Sequence, residues 1–358
     1  MTTDPYKLLA ERLDALPNGF PPTPDGAELR LLAKLFTPEE AALAAQLRLT
    51  LETPAQLAAR LGSEASALRK QLKEMARRGL IAAGRAEGGL GYKLMPFIVG
   101  IYEMQGDRID LELARLFEAY YLQAFGQALS IQPQVHRVIP INETIRAGME
   151  IRPYESATEV VNNARAWGVT DCICRKQKAL LGQPCSHPLD VCMVLGDTPG
   201  AFDGSSSVRP LTHSEALTTL RRAAEAGLVH SVSNNQRGLW YICNCCTCSC
   251  GVLRGIAELG LANVVARSAF VNQADETRCH ACGVCLDTCS FGALTLAITV
   301  QVNDIRCVGC GICVIACPEE ALKLVRRPDD ESLPVPETNE DWGAQRATVR
   351  GIDLTKVI

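Results

Sequence analysis

Residues 279–289 read CHACGVCLDTC and residues 307–318 read CVGCGICVIACP. Both runs space their cysteines C-x2-C-x2-C-x3-C, and Pro318 follows the second. A cubane iron–sulfur centre takes four thiolates, three from a tight loop and a fourth from elsewhere in the chain. Gly283, Gly309 and Gly311 keep these loops free of Cβ atoms, so backbone amides can turn toward sulfur. Between the runs, ALTLAITVQVND (293–304) alternates as paired strands do. A structural zinc site fails on count, since eight cysteines repeat in one pattern.

The two runs closely resemble those of bacterial-type two-cluster ferredoxins, over residues 268–328. The resemblance implies two 4Fe-4S clusters that carry single electrons. It also implies crossed ligation, because the fourth cysteine of each run serves the other cluster. On that rule one cluster takes Cys279, Cys282, Cys285 and Cys317, and the other takes Cys307, Cys310, Cys313 and Cys289. Ser290 stands where such motifs carry proline, which alters a turn and removes no ligand.

The chain has seventeen cysteines, and the first 171 residues contain none. In a reducing compartment such crowding reads as metal binding rather than disulfides. Nine cysteines lie upstream of the two runs: Cys172, Cys174, Cys185, Cys192, Cys243, Cys245, Cys246, Cys248 and Cys250. Strand alternation would put Cys172 and Cys174 on one face, and likewise Cys246, Cys248 and Cys250. All nine are candidate ligands of one or two further 4Fe-4S clusters, with a zinc or dithiol site as the alternative. His187 is a candidate ligand or hydrogen-bond partner, and Arg175 and Lys176 can offset thiolate charge. The blocks DCICRKQ (171–177), GQPCSHPLDVC (182–192) and YICNCCTCSCGVLRGI (241–256) resemble the Cys-rich domain of multi-cluster ferredoxin proteins of anaerobes.

The first half reads differently. Three helical segments, AELRLLAKLF, TPEEAALAAQL and TPAQLAARLG, precede a longer helix starting at Ser63 and a hairpin around Gly88, Gly89 and Gly91. This layout, with LKEMARRGLI leading into the hairpin, resembles winged-helix domains of transcription regulators. Its last helix offers Arg69, Lys70, Lys73, Arg77 and Arg78 against Glu74. The stretch ARLFEAYYLQAF (114–125) reads as core or as a subunit contact of an oligomer.

The expected fold class is α+β. The expected divisions are an N-terminal helix and linker at 1–24, a winged-helix-like domain at 25–100 and a helical connector at 101–151. A Cys-rich metal-binding domain at 152–267, the two-cluster ferredoxin domain at 268–328 and an extended tail at 329–358 complete the chain. A net charge of −4 gives no overall pull toward nucleic acid. No transmembrane segment and no signal-peptide core is visible, so the expected location is cytoplasmic. Dinucleotide and Walker glycine patterns and H-E-x-x-H are missing, so no catalytic residue can be named. The leading expectation is an electron-transfer component serving a partner oxidoreductase. A redox-sensing winged-helix regulator and an enzyme with an open-site upstream cluster are the alternatives.

Overall fold

A computed structural model describes residues 4–261, 263–328 and 334–357. The architecture is α+β, and the chain divides into two compact units, 1–131 with 343–358, and 132–342.

The first unit is mainly helical. Helices α1 (Pro5–Asp14), α2 (Ala27–Leu35), α3 (Pro38–Ala44), α4 (Pro54–Leu61) and α5 (Ala65–Arg77) precede the antiparallel hairpin of β1 (Ala82–Ala86) and β2 (Gly89–Lys93). Thr37 and Thr53 close capping boxes with Glu40 and Gln56, which fixes where α3 and α4 begin. Ser63 does not start α5 as expected. Its amide donates to Ala58 O and closes α4, and α5 begins at Ala65 without a side-chain cap. Helices α6 (Leu111–Tyr120) and α7 (Gly126–Ser130) follow. The aromatic stripe is core: Phe117 stacks on Tyr102 at 3.8 Å between centroids, and Phe20 lies 4.7 Å from Tyr120.

The second unit is built on a seven-stranded sheet. Its strands are β3 (His136–Val138), β4 (Ala166–Thr170), β5 (Cys192–Gly196), β6 (Arg209–Leu211), β7 (Val229–Ser233), β8 (Tyr241–Cys245) and β9 (Val265–Ala266). Their order is β6-β4-β5-β8-β7-β3-β9, antiparallel throughout except for β3 with β9. Helices α8 (Ala157–Asn163), α9 (Ile173–Leu180), α10 (His213–Glu225) and α11 (Arg254–Leu259) connect them. The cysteine runs then occupy a duplicated unit. Strand β10 (Phe270–Ala274), α12 (Val284–Thr288) and β11 (Leu294–Leu296) are repeated as β12 (Val300–Val302), α13 (Ile312–Ala316) and β13 (Leu322–Arg326). Pairing of β10 with β13 and of β11 with β12 closes the two halves on each other.

Two expected divisions change. The connector 101–151 splits at 131, and its second part supplies β3 to the sheet. The tail is not extended throughout: residues 329–333 lie outside the described residues, but α14 (Asn339–Arg350) is a helix. Thr338 and Asp341 cap it reciprocally, with Asp341 N donating to Thr338 Oγ1 at 3.1 Å and Thr338 N donating to Asp341 Oδ2 at 3.0 Å. Within the first unit, buried Arg346 of this helix donates to the carbonyls of Pro17, Ala128 and Ile131. Among the described residues no helix is long and apolar enough to cross a membrane.

Candidate metal centres

Each ferredoxin-type loop ends at a glycine that opens a short helix, Gly283 (φ +83°) before α12 and Gly311 (φ +77°) before α13. The left-handed backbone there turns the chain back on itself, which an L side chain resists. A Cβ on Gly311 would lie 2.5 Å from Thr144 Oγ1, so close packing also requires glycine at this position.

Folding brings the runs together crosswise. Cys279, Cys282, Cys285 and Cys317 line one small cavity, walled by Leu296, Val300 and Leu322. Cys289 lies close enough to Cys310 and Cys313 to raise the pKa of each through charge, as does Cys307. Burial is the larger cause, pushing Cys310 up to about 12 and Cys313 well above an ordinary thiol. Donors are already aimed at the sulfurs. Val300 N donates to Cys279 Sγ at 3.4 Å, Ala293 N to Cys289 Sγ at 3.4 Å and Ala321 N to Cys317 Sγ at 3.3 Å. Buried Asn272 on β10 donates its amide to Cys313 Sγ at 3.2 Å. Sequence spacing gives no hint of Asn272, because strand pairing brings it there. Two sets of four sulfurs, buried or half-buried except at Cys282 and met by amide donors, suit 4Fe-4S clusters.

The nine upstream cysteines fall into two sets, and strand alternation does not describe either. Strand β4 stops at Thr170, so Cys172 immediately precedes α9, without a side-chain capping bond, and Cys174 lies in its first turn. Strand β8 stops at Cys245, and Cys250 N donates to Cys246 O, so 246–250 is a turn rather than a continuing strand. Cys245 and Cys246 fall into different sets, and Cys250 parts from Cys246 and Cys248.

The first set gathers at one end of the sheet, where β4 ends, β5 begins and β8 ends. Thr170 pairs with Cys192, and Met193 pairs with Ile242, so one further step along that register places Cys192 opposite Cys243. Thiol contacts run from Cys192 to Cys172, Cys174, Cys250, Cys245 and Cys243 in turn. Hydrogen bonds from Cys174 and Cys192 hold Cys172 well below the ordinary thiol range. The bond to Cys172 raises Cys174 and Cys192 well above it, and burial adds to the rise.

The second set is Cys185, His187, Cys246 and Cys248, whose ligand atoms all lie within 4.8 Å of one another. His187 Nδ1 is 3.3 Å from Cys185 Sγ and 3.8 Å from Cys248 Sγ, and the Cys185 and Cys246 sulfurs are 3.9 Å apart. Buried Arg175 serves both sets. Burial opposes its charge, but the nearby thiols of Cys172, Cys246, Cys192 and Cys245 together raise its pKa. Its guanidinium is fixed by Asn244 O at 2.7 Å and Pro188 O at 3.0 Å. Lys176 instead pairs with Asp171 at 2.9 Å.

Residues 300–323, from β12 through α13 into β13, match the family described as the 4Fe-4S binding domain. No curated protein and no solved structure matches the chain. The family match and the cysteine geometry together show that the chain carries a ferredoxin-type iron–sulfur module.

Proposed function

We propose that this protein is an iron–sulfur electron carrier that passes single electrons to a partner oxidoreductase. One cluster is held by Cys279, Cys282, Cys285 and Cys317, the other by Cys307, Cys310, Cys313 and Cys289. A third is held by four of the six cysteines at the sheet end: Cys172, Cys174, Cys192, Cys243, Cys245 and Cys250. Such clusters, when bound, supply one-electron chemistry at potentials set by hydrogen bonds, charge and burial. The observation that carries the reading is the cavity in which Cys317 joins the three cysteines of the other run. The chain's own contribution is the set of amide donors on sulfur and the buried cation Arg175.

Iron and acid-labile sulfide counting on the full-length protein, purified anaerobically, tests this reading. About twelve irons per chain are expected from three clusters of four. On reduction, EPR should show signals broadened by coupling between neighbouring clusters. A folded protein with four irons or fewer would sink the two-cluster assignment, and eight would remove the third cluster alone.

A second reading draws on the first unit. Arg69, Lys70 and Lys73 are exposed on α5, just before the hairpin of β1 and β2, in the layout of a winged helix. Arg77 and Arg78 add less than the sequence promised, since they pair with Glu74 and Glu40, each at 2.7 Å. On this reading α5 contacts phosphate, and duplex affinity falls steeply between low and moderate salt. Binding that ignores salt, or that survives replacement of all three exposed cations by glutamine, excludes it.

A further inference from the structure

The spacing within a ligand set reports what it can enclose. In a cubane every thiolate bonds a different iron across the cluster core, so thiolate sulfurs stand on the order of 6 Å apart. Around a single tetrahedral zinc ion, with Zn–S of about 2.3 Å and Zn–N of about 2.0 Å, S···S edges are about 3.8 Å and S···N edges about 3.5 Å. Here the Cys185 and Cys246 sulfurs are 3.9 Å apart, His187 Nδ1 lies 3.3 Å from Cys185 Sγ and 3.8 Å from Cys248 Sγ, and all four ligand atoms lie within 4.8 Å of one another. Among the described residues no three of the eight ferredoxin-type cysteines gather their sulfurs so closely.

We infer that Cys185, His187, Cys246 and Cys248 form a mononuclear zinc site, distinct from the iron–sulfur centres. The ligand set is complete, with three thiolates and one imidazole, as in closed structural zinc sites. His187 presents Nδ1 to two of the sulfurs, so Nδ1 is the ligating nitrogen. The three thiolates and a divalent ion leave one net negative charge, and buried Arg175 lies near Cys246 to offset it. Ser249 Oγ donates to Cys248 Sγ at 3.8 Å, an outer-shell contact of the kind that orients a ligand. An entry path exists, because Cys248 is exposed and lines, with Cys185 and His187, a cavity of about 410 Å³. The site joins the loop at 185–187 to the turn after β8. Cys185 and Cys246 also pack with the apolar cluster of Val191, Ala223 and Leu228, so the ion would add a cross-link to two segments that Arg175 already joins through Pro188 O and Asn244 O. The inference does not depend on electron transfer, since the ion is redox-inert.

The test is metal analysis and zinc-edge X-ray absorption on the anaerobically purified full-length protein. One zinc per chain is expected, with three sulfurs at about 2.3 Å and one nitrogen at about 2.0 Å. Cys248→Ser and His187→Ala should each lower zinc retention against a chelator by at least about tenfold and leave iron content unchanged. Cys310→Ser, at a ligand of a ferredoxin-type cluster, should do the reverse, losing iron and keeping zinc. Zinc absent from the wild type, iron in this site, or loss of iron rather than zinc in Cys248→Ser would overturn the inference. If a variant loses both metals because it fails to fold, the wild-type zinc stoichiometry and coordination decide alone. A wild type with one such zinc and only eight irons would remove the third cluster and leave the zinc site standing.

Discussion

Substituting the third residue of each cysteine run separates backbone strain from packing. Gly309, the third residue of the second run, has φ +69°, and a Cβ there would lie 2.0 Å from Phe270 O and 2.2 Å from Ser268 Oγ. Neither obstacle can move cheaply. Phe270 begins β10, and Ser268 is fixed by bonds from its amide to Val308 O at 3.0 Å and from its hydroxyl to Gly309 O at 2.9 Å. In Gly309→Ala the left-handed backbone costs about 1–2 kcal/mol, and forcing a methyl into filled space costs about 1–3 kcal/mol more. A loss of about 3 kcal/mol, at a guanidinium dependence of about 4 kcal/mol per molar, lowers the unfolding midpoint by about 0.7 M. Ala281 holds the same place in the first run with φ +55°. Ala281→Gly relieves the strain, but the freer unfolded chain takes back about 0.5–1 kcal/mol, so the midpoint should stay near wild type or rise slightly. Anaerobic guanidinium titration, followed by circular dichroism and visible cluster absorbance, reads both. Gly309→Ala within about 0.5 kcal/mol of wild type would refute the packing argument.

Three further outcomes follow from the same contacts. Cys317→Ala should damage the cluster of the first run and largely spare the other. Mössbauer or EPR spectra that lose the second cluster instead would show that ligation is not crossed. Arg326→Met should destabilise the second unit by about 3 kcal/mol, because it strands buried Glu155, whose carboxyl Arg326 holds below the usual range despite burial. Coincidence of its denaturation curve with wild type would contradict this. Arg346→Met should cost the first unit about 3 kcal/mol by leaving three carbonyls unpaired, read as a lower midpoint for the helical signal. Retention of the wild-type midpoint would show that water replaces the guanidinium.

The two ferredoxin-type runs were legible because everything that defines them lies within eleven or twelve residues. Spacing, glycine placement and the strand pair between them are all local. The partition of the nine upstream cysteines was not legible, because it depends on which strands pair. Cys192 meets Cys172 only because β4 and β5 pair, and it faces Cys243 only because β8 lies beside β5. Cys250 leaves Cys246 because the chain coils after β8, where C-x-C spacing suggests a strand. His187 was named as a candidate, but only folding puts it between Cys185 and Cys248. Helix α14 did carry a local signal, Thr338 three residues before Asp341, which the proline and charge of the preceding residues obscured. Short β3 and β9 leave too few residues for periodicity to register.

Segment 142–155 shows why the ferredoxin-type module is not an appendage beginning at residue 268. Ile145 bridges to Leu324 of β13 and packs in the same core as Phe270, Cys285 and Cys313. Thr144 fills the space against which Gly311 turns, so the second cysteine loop is shaped in part by a residue 167 positions upstream. Glu155 reaches Arg326 at 2.7 Å, and the next residue, Ser156, caps α8, with Glu159 N donating to its hydroxyl. On the other flank α10, which crosses over the sheet, packs against α13. The module is therefore tied to the preceding part of its unit by the Ile145 bridge, the Glu155–Arg326 ion pair and the packing of α10 on α13. Electron transfer between centres depends on a fixed separation, and a flexible linker would let that separation vary. On the proposed reading of clusters acting in series, segment 142–155 helps to hold that separation. That segment lies outside every cysteine run, so its contribution is visible only once β13 and β10 have closed around Ile145.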